Sequence, residues 1–271
     1  MATRDAGGEV RIRRVVVALD ATTAPSAALD AAAALASGLG AELVGLFVED
    51  QQLLRFAALP FAQELGIATA SARPVGTAEI ERALKSQAAR LRRVLAETAR
   101  PLGLAWTLEV TRGEAVRAAV AYAGDEDLLV IGRTRYLSIS AGPSQPGQRF
   151  PTLRARTVAA LYDGTPAAVR ALVVAHTLAR VAESELAVLI AAGGPEPFRA
   201  LRLAAGQILG ARGGTAAAYV MVPGADAASI ERAARAQRAR VLLWPGGKRE
   251  HAAETVAALL ADVSCPVVLI G

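Results

Sequence analysis

The chain reads as an α/β protein built twice over, with parallel strands joined by right-handed helical crossovers. Three features of the sequence lead to that reading. Short aliphatic runs of strand length recur at 15–19, 43–48, 128–131, 158–162, 186–190, 241–244 and 267–270, each continuous rather than alternating, as a strand covered on both faces requires. Alanine-rich stretches with helical periodicity lie between them. An aspartate ends the first run of each half, Asp20 in one and Asp163 in the other.

In the first half, VVVAL at 15–19 is the opening strand. Thr22 and Thr23 can cap the helix after it, Pro25 fits its first turn, and Gly38 and Gly40 stand where it should stop. LVGLFV at 43–48 is the second strand. A helix is expected over 79–100, with Ile80, Leu84, Leu91 and Leu95 on one face. Glu79 and Glu81 fall in its first turn and Arg100 in its last, as the helix dipole favours. Residues 104–110 alternate as a strand, 113–123 make a short helix, and LLVI at 128–131 is a fourth strand ending at Gly132. Residues 133–155 carry Gly, Pro and Ser in place of a clear element and read as a loop and linker.

From Thr157 the scheme restarts. Strands are expected at 158–162, 186–190, 216–222, 241–244 and 267–270, and helices at 166–181, 196–209, 227–239 and 252–260, the first of them capped by Thr165. The halves are an internal repeat. Asp20 and Asp163 are 143 residues apart and Gly132 and Gly246 are 114 apart, so the first half is 29 residues longer between those points. Residues 50–78 account for most of the excess, and the first half lacks the last helix and strand that the second keeps. The expected domains are 1–150, with that insertion, and 151–271.

Composition narrows the function. With 53% apolar and 20% charged residues the chain can bury a sizeable core. The single cysteine, Cys265, excludes an internal disulfide framework and a cysteine-based zinc site. No run has the roughly 18 uncharged apolar residues of a membrane span, and the N-terminus lacks an apolar signal segment. These features predict a soluble cytoplasmic protein. The net charge of +5 comes from 28 arginines and two lysines scattered among acidic residues on helices, which argues against a nucleic-acid partner.

VVVALDATTAPSAALDAAAALASGLGAELVGLFV, GEAVRAAVAYAGDEDLLVIG and the C-terminal CPVVLIG, in this order and spacing, resemble the universal stress protein family in its tandem form, with both repeats covered. The resemblance implies two flavodoxin-like, Rossmann-like units, each a parallel five-stranded sheet of strand order 3-2-1-4-5, the first without its last helix and strand. It also implies a cytoplasmic stress-response role without catalysis, and self-association, as a homodimer or as a pseudo-dimer within one chain, beside an unidentified protein partner. Some members bind ATP and others do not, so ATP or another adenine nucleotide is the candidate ligand.

Ligands of such sheets lie beyond the carboxyl ends of the strands. That groups Asp20, Thr22, Gly132, Arg133 and Arg135 in the first half, and Asp163 and Gly246 in the second. The ATP-binding members place glycines and a Ser or Thr after the fourth strand, where phosphates approach backbone N–H groups. Counted from Gly132, those places hold Arg135, Gln145 and Pro146; counted from Gly246 they hold Arg249, Leu259 and Leu260, or Ala253 and Glu254 if aligned from the final strand. Neither half keeps the cradle. Arg133 and Arg135 can offer phosphate contacts by charge instead. Asp20 and Asp163 can equally cap the helices that follow them.

Other residues have plainer roles. Cys265 reads as an inert core thiol, His176 as a packed or half-exposed helix residue, and Gly246-Gly247-Lys248 as a turn. Arg232, Arg235 and Arg238 repeat along one helix and read as a solvated face or a partner-binding stripe. Residues 51–67 hold seven large apolar side chains, too many for an exposed loop, and are expected to be partly helical, as a sheet cover, a lid or a dimer contact.

Overall fold

In the computed structural model the described residues are 12–19, 27–51, 63–65, 72–74, 77–124, 126–132, 157–214, 216–224, 226–246, 252–263 and 265–270. The first half provides β1 (Arg14–Leu19), α1 (Ala27–Leu39), β2 (Glu42–Asp50), β3 (Gln63–Leu65), β4 (Ala72–Pro74), α2 (Thr77–Ala99), β5 (Trp106–Gly113), α3 (Ala115–Tyr122) and β6 (Asp127–Ile131). The second provides β7 (Thr157–Tyr162), α4 (Pro166–Val181), β8 (Leu186–Ala191), α5 (Pro195–Gly210), β9 (Ala217–Val222), α6 (Ala227–Ala236), β10 (Ala239–Trp244), α7 (Ala252–Asp262) and β11 (Val267–Ile270).

The strands form one nine-stranded sheet in the order β5-β2-β1-β6-β11-β10-β7-β8-β9. Its first four members are the 3-2-1-4 part of a doubly wound unit and its last five a complete 3-2-1-4-5 unit, with all pairs inside each half parallel. The first half has no fifth strand of its own among the described residues. Its place beside β6 is taken by β11, which pairs in parallel with β10 on one side and antiparallel with β6 on the other. One four-residue strand therefore finishes both units and leaves neither β6 nor β10 as an open edge.

Burial follows position in the sheet. β6, β7 and β11 are buried at every residue, as their unbroken aliphatic runs demand, whereas the outermost strands β5 and β9 alternate or lie half exposed. One face is covered by α1, α2, α4 and α5 and the other by α3, α6 and α7, with a separate apolar core on each. On the first face α1 packs on α4, joining the halves, and α1 is lined with fully buried alanines such as Ala28, Ala32 and Ala36. The approach is close enough that a Cβ on Gly38 would lie 2.7 Å from Val181 Cγ2.

Several boundaries differ from expectation. α2 ends at Ala99, so Arg100 belongs to a following 3-10 turn rather than to the last helical turn, because Pro101 lacks an N–H and disfavours helix in the residue before it. β5 extends to Gly113, and α3 begins only after Glu114, whose carboxylate accepts from the N–H groups of Val116 and Arg117, both at 3.1 Å. α6 stops at Ala236, three residues short of the helix expected to 239. Within the insertion, β3 and β4 form a small antiparallel pair that periodicity did not suggest. Most of 51–67, the linker 133–155, and the caps Thr22 and Thr23 lie outside the described residues.

Candidate functional site

The antiparallel junction decides where the two candidate sites lie. Strands of the first half run opposite to those of the second, so the carboxyl ends of β1 and β6 share an edge of the sheet with the amino ends of β7 and β10. The carboxyl ends of β7 and β10 lie on the other edge, next to the starts of β1 and β6. Gly132 is thus separated from Asp163 and Gly246 by the length of the sheet. Asp20, Thr22, Arg133 and Arg135 lie outside the described residues.

In the second half Asp163 is exposed and bonded to the chain that follows it. Its Oδ1 accepts from the backbone N–H of Thr165 at 3.0 Å and from the Thr165 hydroxyl at 2.6 Å. Thr165 Oγ1 in turn accepts from Ala168 N–H at 3.2 Å, the expected N-cap of α4. At the end of β10, Gly246 is buried, and its N–H donates to Trp244 O at 2.8 Å in a tight turn. A Cβ there would lie 2.6 Å from Trp244 Cε3, so the glycine makes room for an indole rather than for a phosphate. Beyond it, Ala253 and Glu254 lie in the first turn of α7, where the Glu254 carboxylate complements the positive end of the helix. Leu259 and Leu260 are core residues, 2% and 7% exposed.

A cleft of about 380 Å³ opens beside Trp244 between α6 and α7, with Asp226 and Glu254 on its rim. Asp226 caps α6 by accepting from Ser229 N–H at 2.9 Å, and that hydrogen bond holds its carboxyl below the ordinary carboxylate range. A larger cleft of about 1240 Å³ lies on the opposite edge, at the amino ends of the second-half strands, and includes Arg235, Arg238 and Arg240. Arg232 and Arg235 are exposed on α6, Arg235 bonded to Glu231 at 2.6 Å, as a solvated face requires. Arg238 departs from that stripe: it lies beyond the end of α6, with φ at 52°.

Cys265 is 5% exposed, and burial pushes its thiol up to about 12. His176 is 3% exposed, more enclosed than a half-exposed helix residue, and its Nε2 lies 3.3 Å from Arg212 O. Among the described residues no cluster of three His, Cys, Asp or Glu side chains can hold a metal ion, and no helix is long and apolar enough to cross a membrane. Sequence reasoning missed the Asp226 cap, although Asp before an amphipathic helix is a readable signal. Nor does it show that Arg238 and Arg240 line one cleft, because the expected helix to 239 takes in Arg238 and Arg240 falls between that helix and the expected strand at 241–244.

No family model and no curated protein matches the sequence. Solved structures do match. A universal stress protein from Archaeoglobus fulgidus DSM 4304 superposes with a TM-score of 0.55 at 13% identity, covering 94% of this chain and 95% of that one. A putative universal stress protein from Pseudomonas aeruginosa UCBPP-PA14 gives 0.50 at 14% identity over 96% and 94% of the two chains. At these identities the likeness is one of architecture, and it extends through both halves: the chain has the universal stress protein fold over nearly its whole length.

Proposed function

We propose that this chain is a non-catalytic universal stress protein of the tandem kind, acting in a cytoplasmic stress-response or regulatory role, with nucleotide sites that have lost their phosphate cradles. The observation that carries this reading is the end of β10. The Trp244 ring occupies the space over Gly246, and Leu259 and Leu260, or Ala253 and Glu254, at positions that would cradle phosphates, fall inside α7. Residual binding of an adenine nucleotide belongs to the first half, at Asp20, Thr22, Gly132, Arg133 and Arg135. Self-association or an unidentified protein partner carries the output.

Titration calorimetry with ATP, together with a phosphate-release assay, tests this. Each lost phosphate hydrogen bond is worth about 1.5–3 kcal/mol, so affinity weaker than low micromolar and no turnover are expected. If weak binding is seen, Asp20→Ala reduces it more than Asp163→Ala. Low-micromolar affinity or steady hydrolysis overturns the reading in favour of an ATP-binding switch.

A further inference from the structure

The amino ends of β7 and β10 correspond to a place that the first half closes. There, Arg14 at the start of β1 stands beside Asp127 at the start of β6, and the two form an ion pair. In the second half the matching strand-start pair is Thr157 beside Ala239, with no carboxylate, and Arg238 and Arg240 flank the alanine. The ladder skips Arg240: Ala239 pairs with Thr157 and Val241 with Val158, so Arg240 is the extra residue of a bulge. Bulges are rare between parallel strands and re-aim the side chain they carry. Arg238, at φ 52°, and Glu183, at φ 49°, are the non-glycine residues with positive φ among those described, and both line the same 1240 Å³ cleft. Each closes the helix before it, α4 or α6, so both helix ends stand at this cleft.

The charges within the cleft are segregated. Arg238 and Arg240 stand at the β10 end, and Arg235 beside them is already bonded to Glu231. Glu183 and Glu185 stand on the β8 side, so an anionic group belongs against β10. The Arg238 side chain has no ion pair among the described residues. The cleft also adjoins the first half. Cys265 and Pro266, on its wall, lead directly into Val267, the partner of Ile131 at the end of β6, and Ala27, the first residue of α1, lines it as well.

We propose that the cleft binds a small phosphorylated organic anion, its phosphate held by the guanidinium groups of Arg238 and Arg240. Planar guanidinium forks match phosphate oxygens in pairs, and a cleft of about 1240 Å³ admits a mononucleotide-sized molecule. The proposal does not rest on the lost cradles, because Asp20 and Asp163 take no part in it.

The test titrates the full chain with adenosine monophosphate and with inorganic pyrophosphate, at low and high ionic strength. Both are expected to bind, more weakly as salt rises. The variant R238G/R240Q is expected to lose about tenfold or more in affinity while melting no lower than the parent, since glycine accepts the positive φ of position 238. Arg232→Glu, on the exposed face of α6, leaves binding unchanged. Absence of binding to the parent, or unaltered binding by R238G/R240Q, overturns the proposal. Loss of binding in Asp20→Ala also overturns it, by locating the anion at the strand ends of the first half.

Discussion

Arg14 and Asp127 lock the starts of β1 and β6 together through two contacts, Arg14 Nε to Asp127 Oδ1 at 3.0 Å and Nη2 to Oδ2 at 2.6 Å. Asp127 is 5% exposed and also accepts from Gly124 N–H at 2.6 Å, so its carboxylate fixes the turn before β6 as well as the ladder. Arg14 lies 5.6 Å from the Tyr122 ring centroid, and the hydrogen bonds from its guanidinium to Asp127 raise its pKa above the usual value. Removing one partner of an enclosed pair leaves the other uncompensated, and the part of Arg14 that remains in water moderates the loss. Asp127→Ala is expected to destabilise the protein by about 2–3 kcal/mol in urea unfolding at neutral pH. A change below about 0.5 kcal/mol would show the pair to be as weak as a surface contact.

The junction of the two halves depends on β11. Val268 is fully buried and pairs with Leu243 on one side and Val130 on the other. A charge there has no partner on either face, so Val268→Asp is expected to abolish the single cooperative melt and yield self-associating protein. Circular dichroism melts and sedimentation read this directly. A monomer with an unchanged melting temperature would mean that β11 does not hold the halves together.

Glu183 closes α4 in a left-handed conformation, with Ser184 N–H returning to Ala179 O at 2.8 Å. At the matching end of α1 the residue is Gly40, φ 62°, with Ala41 N–H returning to Ala36 O at 2.9 Å. Glycine adopts this conformation without the Cβ clash that adds about 1 kcal/mol for other residues. Glu183→Gly is therefore expected to raise the melting temperature by roughly 2–4 °C, measured by calorimetry. A fall would show that Glu183 contributes more through its side chain than it loses in its backbone.

Cys265 offers a pH test. Burial raises its folded-state pKa to about 12, above the ordinary thiol value of 9.0, so the folded chain holds the thiol proton more tightly than the unfolded one. The associated stability is complete below about pH 9 and is lost as pH rises towards 12. Iodoacetamide at pH 8 is expected to label Cys265 only after denaturant unfolds the chain, and Cys265→Ala to flatten the alkaline decline in stability. Rapid labelling of the folded protein would contradict the burial of this thiol.

Much of the architecture is legible in the residues themselves. Continuous aliphatic runs mark strands that are covered on both faces, Thr165 and Pro166 mark the start of α4, and the residues counted from Gly246 differ from the glycines that the resemblance leads one to expect. These signals are local: each rests on side chains within a turn or a strand of one another. The partner of β11 on its far side is not local, because ladder hydrogen bonds join backbone groups that every residue carries, and CPVVLIG reads the same whether its neighbour is parallel, antiparallel or absent. That antiparallel pairing sets the two candidate sites on opposite edges of the sheet. It also brings Arg238 and Arg240 of the second half to the strand ends of the first, an arrangement decided only when the tertiary structure closes the sheet.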